Sequence, residues 1–402
     1  MRRIALISAH TCPLLQPGSG WAGGMNVYID ELGRALAREG IGVDVFTRRH
    51  SRDVPETVVV EKGFVLHHIE AGPLREIGPE RTHRHLGAFA DRVVNQIRQT
   101  PDTSLVHSHY WLSGSVGLRV ASLLGMPLVH SFHTLGRVKD RNRRSDAALS
   151  TFSRLVAEED VIEGARCIVA STSAEKEDLV GHYGADESKI CVAAPGVDHD
   201  LFTPGLKAPA RIRMGWPDVP TVLFAGRIQS LKGADVALEA YLRLQRRIDR
   251  TRLVIVGAPS GSEGVRELET LQQRVKEADL VDQVTFAEPV PHREMADVYR
   301  ASDVVVVPSR AESFGLVAAE AQAAGVPVVA ANVGGLRSVV PEGSGGILVD
   351  GWDPEVWAEA IASILSDHEL AASLAESGPL HAETFSWDLA VERIVDVYRQ
   401  VA

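Results

Sequence analysis

Short runs of β-branched residues alternate with longer amphipathic stretches, and the whole series runs twice along the chain. The first series reads "RRIALIS", with its strand core at Ile4 to Ser8, then a helical pattern from Asn26 to Glu39, then "GVDVFT", "SLVHSH", "PLVHSFH" and "RCIVAS". The second begins after "WPDVP" with "TVLFAG" and a helix near Asp235 to Arg250, followed by "RLVIVG" and a helix near Val265 to Asp279. It then runs through "VTFAE", "DVVVVPS", "VPVVAA" and "GGILVD". Apolar runs separated by helical patterns specify parallel strands wrapped by helices, an α/β class. At 402 residues the chain exceeds what one hydrophobic core serves, so each series is expected to form its own doubly wound domain. The linker is expected near residues 195–215, in the Pro- and Gly-rich "VAAPGVDHDLFTPGLKAPA". Open α/β sheets bind ligands at the carboxyl ends of their strands, so function belongs in the loops after the strands.

Composition removes several classes. The formal charge of -11, from 42 basic and 53 acidic residues, repels phosphate backbones and argues against a nucleic-acid partner. Three cysteines, Cys12, Cys167 and Cys191, lack the pairing of a disulfide framework or zinc cluster and fit a reducing cytoplasm. The chain opens directly on a strand-like run, without a signal-peptide pattern and without an apolar stretch near the ~18 residues of a membrane span.

The carboxyl-terminal half carries the sharper chemistry. After "DVVVVPS" comes "RAESFGLVAAEAQAAG", where Glu312 precedes a helix opening near Phe314, Gly315 and Leu316, and Glu320 lies inside it. Free amides at a helix start suit an anionic or hydroxyl-rich ligand. Two glutamates alone would read as a solvated helix face. Their company changes that reading, because "FAGRIQSLKG" sets Arg227 and Lys232 in the loop after the first strand of this half. A guanidinium and an ammonium there can hold a diphosphate and neutralise charge on a departing nucleotide, the work a metal does elsewhere.

The amino-terminal half holds a literal G-x-G-x-x-G at Gly18, Gly20 and Gly23. In a dinucleotide fold such glycines follow the first strand at once and a carboxylate ends the second strand. Here a long loop intervenes and the second strand ends in "FTRR", so a nicotinamide oxidoreductase is the competing class rather than the first reading. The loop reads better as one whose amides at Gly23 and Gly24 reach a donor phosphate, with Asn26 opening the helix beside an acceptor. His107, His109, His130 and His133 would suggest a metal only with a carboxylate or third histidine on the same face and second-shell support, which these motifs do not offer, so no metal centre is expected. The basic run "RVKDRNRR", Arg137 to Arg144, reads as a solvated loop flanking the acceptor pocket.

"GRIQSLKG", "ESFGLVAAE" and "GVPVVAANVGGL" resemble the donor lobe of retaining family-four glycosyltransferases. "GGMNVY", "HSHYWLSG" and "HTLGRVK" make the other lobe similar to the mycothiol-pathway D-inositol-3-phosphate glycosyltransferases, which transfer N-acetylglucosamine from its UDP ester. The resemblance implies two Rossmann-like domains of GT-B type: residues 1–200 for the acceptor and 201–385 for the nucleotide sugar. A last helix, residues 386–402, crosses back to the first. It implies that Arg227 and Lys232 contact the diphosphate, and that Glu312 with the Phe314, Gly315 and Leu316 amides holds the donor sugar. Glu320 would accept from ribose hydroxyls, and the base would meet backbone near Val290, UDP being favoured by analogy. On the acceptor side Tyr110, Thr134 and Arg154 would grip a phosphate, Asn26 ring hydroxyls, and His133 would line the reaction centre. That family also uses a lysine shortly after "AGP", where this chain has Gly78 and Pro79, so Arg75, Arg81 or Arg84 would have to replace it, or the acceptor differs.

The expected reaction is hexosyl transfer with retention, from a nucleotide sugar to inositol 3-phosphate or another phosphorylated polyol or sugar, with no cofactor. Sucrose-phosphate-synthase-like transfer to a phosphosugar and a non-catalytic sugar-binding protein stand as alternatives, and a homodimer is a family expectation. No carboxylate pair at nucleophile spacing is evident, so a front-face displacement is expected, in which the departing phosphate oxygen takes the acceptor's proton.

Overall fold

The computed structural model describes residues 2–100 and 102–402. In the first half, β1 (Arg3–Ser8), β2 (Gly42–Arg48), β3 (Thr57–Glu61), β4 (Phe64–Ile69), β5 (Thr103–His109), β6 (Leu128–Ser131), β7 (Cys167–Ala170) and β8 (Ile190–Val192) form one sheet. In the second, β9 (Thr221–Ala225), β10 (Arg252–Val256), β11 (Val284–Ala287), β12 (Val304–Val307), β13 (Val328–Ala331) and β14 (Gly346–Val349) form another. Their orders are β3-β4-β2-β1-β5-β6-β7-β8 and β11-β10-β9-β12-β13-β14. Continuous valine and isoleucine runs suit strands covered on both faces, and the central β1, β9 and β12 are buried throughout nearly all their length. β3 alone of the described strands pairs antiparallel, with β4, and its outer face is exposed.

In each sheet the chain leaves the middle and winds outward twice, which places a crevice between neighbours whose connections depart in opposite directions. These switch points lie between β1 and β5 and between β9 and β12. The segments directly after those four strands carry His10, Tyr110, Arg227 and Glu312, Tyr110 opening the helix Tyr110–Leu124. Position in the fold, rather than spacing in the chain, thus assembles the site.

Several elements differ from the sequence reading. The β3–β4 pair and β8 were not expected, and the segment expected as linker contains a helix, Lys207–Met214. Pro209 sits in its first turn, where a missing amide hydrogen costs nothing. The turn before Glu320 is also shorter in helix than expected: the helix spans Leu316–Ala323 and is capped by Gly315 at φ 113°. The positive φ calls for glycine there, and a Cβ would also lie 2.6 Å from Leu336 Cδ2 and displace that side chain.

The last helix, Trp387–Val401, crosses back and buries Trp387, Val391, Ile394, Val395 and Tyr398 among Ile4, Leu6, Tyr28 and Val43 of the first sheet's layer. Among the described residues no helix is long and apolar enough to cross a membrane.

Candidate active site

All fifteen sequence-selected residues line one cleft between the two sheets, with a cavity volume of about 340 Å³: Gly23, Gly24, Asn26, Tyr110, His133, Thr134, Arg154, Arg227, Lys232, Val290, Glu312, Phe314, Gly315, Leu316 and Glu320.

On the wall built by the second sheet, Lys232 Nζ pairs with Glu312 Oε2 at 2.6 Å, and the Ser309 hydroxyl donates to the same oxygen at 3.0 Å. The sequence reading gave these two residues separate tasks; the structure makes them an ion pair. Gly233, at φ 75°, turns the chain directly after Lys232, where a Cβ would come within 2.1 Å of the Pro308 carbonyl. Arg227 has no hydrogen bond or ion pair through its guanidinium among the described residues. Burial disfavours its charge, opposed by Tyr110 and Glu312 nearby. The Phe314, Gly315 and Leu316 amides donate to no backbone carbonyl among the described residues, while the Phe314 ring turns inward against Phe385 at 5.1 Å.

Glu320 is nearly fully buried and both its oxygens are held, Oε1 by His292 Nε2 at 2.7 Å and Oε2 by the Tyr299 hydroxyl at 2.8 Å. Burial depresses the His292 pKa, but Glu320 outweighs it and the net shift is upward. Val290 adjoins Pro289, whose carbonyl accepts from Gln16 Nε2 across the cleft.

The opposite wall corrects two assignments. Asn26 was expected to meet acceptor hydroxyls. Instead its Nδ2 donates to Thr11 Oγ1 at 2.9 Å and to the Cys12 carbonyl at 2.6 Å, and its Oδ1 accepts the Gly23 amide at 2.9 Å. Both donor hydrogens are spent on shaping the glycine loop. For the same reason the Gly23 amide is not free for a phosphate, whereas the Gly24 amide, at the first helical position, has no backbone partner. Gly23 earns its place by contact: a Cβ there would lie 3.3 Å from Arg227 Nε.

Arg154 is buried, donates from Nε to Glu158 at 2.8 Å and from Nη2 to Thr134 at 3.1 and 3.2 Å, and lies 5.3 Å from the centre of the Tyr110 ring. The Tyr110, Thr134 and Arg154 set is therefore one assembly. Tyr110 and His133 both take left-handed backbone, at φ 74° and 60°, a conformation that costs a non-glycine residue ~1–2 kcal/mol and that clusters at functional positions.

Arg75, Arg81 and Arg84 are exposed and do not line the cleft, so none replaces the absent lysine. Lys139, from the run read as a solvated loop, does line it. Its ammonium has no ion-pair or hydrogen-bond partner among the described residues, and burial, then Arg154, lower its pKa. Sequence reasoning also missed His10, whose ring lies 4.5 Å from that of Tyr110, and which burial and then Arg227 push down to about 3.

The lobes touch across the cleft. The Ala258 amide donates to the Gly18 carbonyl at 3.0 Å, the Ser260 hydroxyl to the Gly20 carbonyl at 3.1 Å and the Ser313 hydroxyl to the His133 carbonyl at 2.7 Å. Trp21 fits between Gly78 of one lobe and Gly261 of the other, where added Cβ atoms would come within 3.1 and 3.2 Å of its ring. Arg144 reaches Glu267 at 2.9 Å and Asp235 at 3.3 Å.

Two family models divide the chain: Glycosyltransferase Family 4 matches residues 22–201 and Glycosyl transferases group 1 matches residues 213–381. The D-inositol 3-phosphate glycosyltransferase of Xylanimonas cellulosilytica is 45% identical, over 99% of this chain and 96% of its own. Among solved structures, a sucrose-phosphate synthase from Thermosynechococcus elongatus superposes with a TM-score of 0.91 at 33% identity, covering 100% of this chain and 99% of that one. Anabaena HepE in complex with UDP and glucose shares the fold, with a TM-score of 0.80 at 18% identity over 99% and 100% of the two chains. With two facing doubly wound lobes, a crossing terminal helix and full-length kinship at this level, the chain belongs to the family-four glycosyltransferases of GT-B fold and is a hexosyltransferase.

Proposed function

We propose that the chain transfers a hexosyl unit, glucose or N-acetylglucosamine, from a UDP-sugar to a small phosphorylated polyol or sugar, with retention at the anomeric carbon. The observation that carries this reading is the half-buried Arg227 guanidinium, without a protein anion of its own, beside the Lys232–Glu312 pair and the open amides of Phe314 to Leu316. Desolvated cations without partners are costly unless a ligand supplies the charge. A diphosphate would satisfy Arg227 and draw Lys232 partly from Glu312, leaving that carboxylate to accept from sugar hydroxyls. Glu320, fixed by His292 and Tyr299, keeps acceptor capacity for ribose. Stabilising negative charge on the departing diphosphate then falls to Arg227, Lys232 and the helix start, and the departing oxygen takes the acceptor's proton. In this reading residues up to about 200 bind the acceptor and those beyond bind the donor, in a reducing cytoplasm that keeps Cys12, Cys167 and Cys191 free.

Arg154 and Lys139, both on the facing wall, support a phosphate on the acceptor. Curated relatives bear the name D-inositol 3-phosphate glycosyltransferase, which favours inositol 3-phosphate. The missing lysine at Gly78–Pro79 and the likeness to a sucrose-phosphate synthase support a phosphosugar as the second reading. Purified protein offered UDP-glucose and UDP-N-acetylglucosamine against each phosphorylated acceptor and its unphosphorylated form, with products read by mass spectrometry, decides between them. Lys232→Ala is expected to lose about 10²- to 10³-fold in turnover at saturating donor. Full turnover in that variant would overturn the diphosphate role, and equal use of phosphorylated and free acceptors would overturn the phosphate grip.

A further inference from the structure

His133 Nε2 lies 3.0 Å from His109 Nδ1. Since that contact uses Nε2, Nδ1 is the ring nitrogen His133 has left for a ligand in the cleft it lines. Burial drives the His133 pKa down to about 3 and that of His109 well below 6.5, so both rings are neutral and each carries one N–H. Two arrangements fit: either His109 donates and His133 accepts, or the reverse.

The far side of His109 separates them. His109 is fully buried, and its Nε2 has no hydrogen-bond partner among the described residues. Were His109 the acceptor at Nδ1, its one hydrogen would sit on Nε2 and be stranded. Were it the donor at Nδ1, Nε2 would be a bare lone pair. A buried N–H without an acceptor is the rarer and costlier defect of the two. Its neighbours supply no acceptor either: His107, with rings 4.3 Å apart, gives one nitrogen to the Tyr398 hydroxyl at 2.7 Å and the other to Ser131 Oγ at 3.0 Å.

We infer that His109 is a positioning residue that donates its Nδ1–H to His133 Nε2 and thereby fixes His133 as the Nδ1–H tautomer, a hydrogen-bond donor toward the bound substrates. The reactive consequence rests on the glycosyl-transfer reading. A neutral ring that already holds its proton on the cleft side donates to a substrate oxygen and does not take the acceptor's proton, which leaves that proton to the departing phosphate oxygen.

The test is long-range proton–nitrogen correlation spectroscopy on protein labelled with nitrogen-15 histidine, the His133 signals being identified by their loss in His133→Gln. A pyrrole-type Nδ1 and pyridine-type Nε2 at His133, with the pattern disturbed in His109→Leu, are expected; the opposite tautomer, or a pattern indifferent to His109→Leu, overturns the inference. His109→Asn, whose side-chain amide can replace the donated hydrogen, should keep the wild-type pattern, and failure to do so also counts against it. In turnover, His109→Leu should lose about tenfold in kcat, the equivalent of one hydrogen bond, with donor KM little changed and His109→Asn partly restoring it. Should the tautomer stand while no nucleotide sugar is turned over, the glycosyl-transfer reading fails and the His109 inference survives. Should His109→Leu fail to fold, the wild-type and His109→Asn spectra still decide.

Discussion

Lys139 stands on the acceptor wall beside Arg154, half-buried and without a counter-charge of its own. Its use to a phosphorylated acceptor is directly measurable: Lys139→Met is expected to raise acceptor KM about tenfold while donor KM stays within twofold, and Arg81→Ala should change neither. The sequence showed Lys139 only as one cation in a basic run. Which face of the short Gly136–Asn142 helix turns inward is decided by distant partners, the Gly136 amide held by Glu158 at 3.0 Å and the Arg137 amide by the Tyr183 hydroxyl at 2.9 Å. Such partners have no local signature. Asn26 shows the converse: its position in the site was legible from "GGMN", but not that its amide would be consumed by Thr11 and Cys12. Glu175, like Lys139, is invisible to motif reading. Its carboxyl is buried, burial raises its pKa to about 7, and Oε1 has no partner among the described residues. Because the folded value exceeds the unfolded 4.5, its stabilising contribution is complete below pH 4.5 and is lost as pH rises through 7. Glu175→Gln should therefore be more stable than wild type at pH 8 by on the order of 2 kcal/mol, and gain nothing at pH 4.5, as measured by urea denaturation.

Among the elements, most strands and several of the long helices were readable because a repeating apolar pattern reports burial from the sequence itself. β3, β4 and β8 escaped: β3 is a short edge strand with an exposed face, β4 buries only alternate residues and β8 spans three residues. The terminal helix was legible as amphipathic, but an apolar stripe says that a face is covered and not by what. Resemblance to known relatives supplied the destination. Tyr398 gives that destination a chemical anchor, its hydroxyl meeting His107 Nδ1 at 2.7 Å in a fully buried setting. Tyr398→Phe is expected to cost about 1–3 kcal/mol by stranding that nitrogen, read from denaturant midpoints. Deletion from Ser386 should do far more. It uncovers Ile4, Leu6 and Val43, and loss of cooperative unfolding with loss of turnover is the expected result, whereas unchanged activity would refute a role for the helix in joining the lobes.

For the molecule as a whole, the switch points of two sheets explain why loops far apart in sequence share one cleft, and this much follows from the doubled strand–helix series. The contacts by which the lobes shut do not, because they depend on backbone groups: the carbonyls of Gly18, Gly20, His133 and Pro289 all accept across the gap. Arg144 adds a charged link of the same kind. Arg144→Ala should raise KM for both substrates and reduce the dependence of turnover on added salt, in contrast to Lys139→Met, which should affect one substrate alone. Trp21, lodged between glycines of opposite lobes, carries a kinetic consequence. Lobes joined by these contacts must part for substrates to enter or products to leave, so exchange is gated by that parting. Stopped-flow tryptophan fluorescence, with Trp21→Phe identifying the share of Trp21 among the six tryptophans, should show an observed rate that levels off with rising donor concentration, and that plateau is the frequency at which the lobes part.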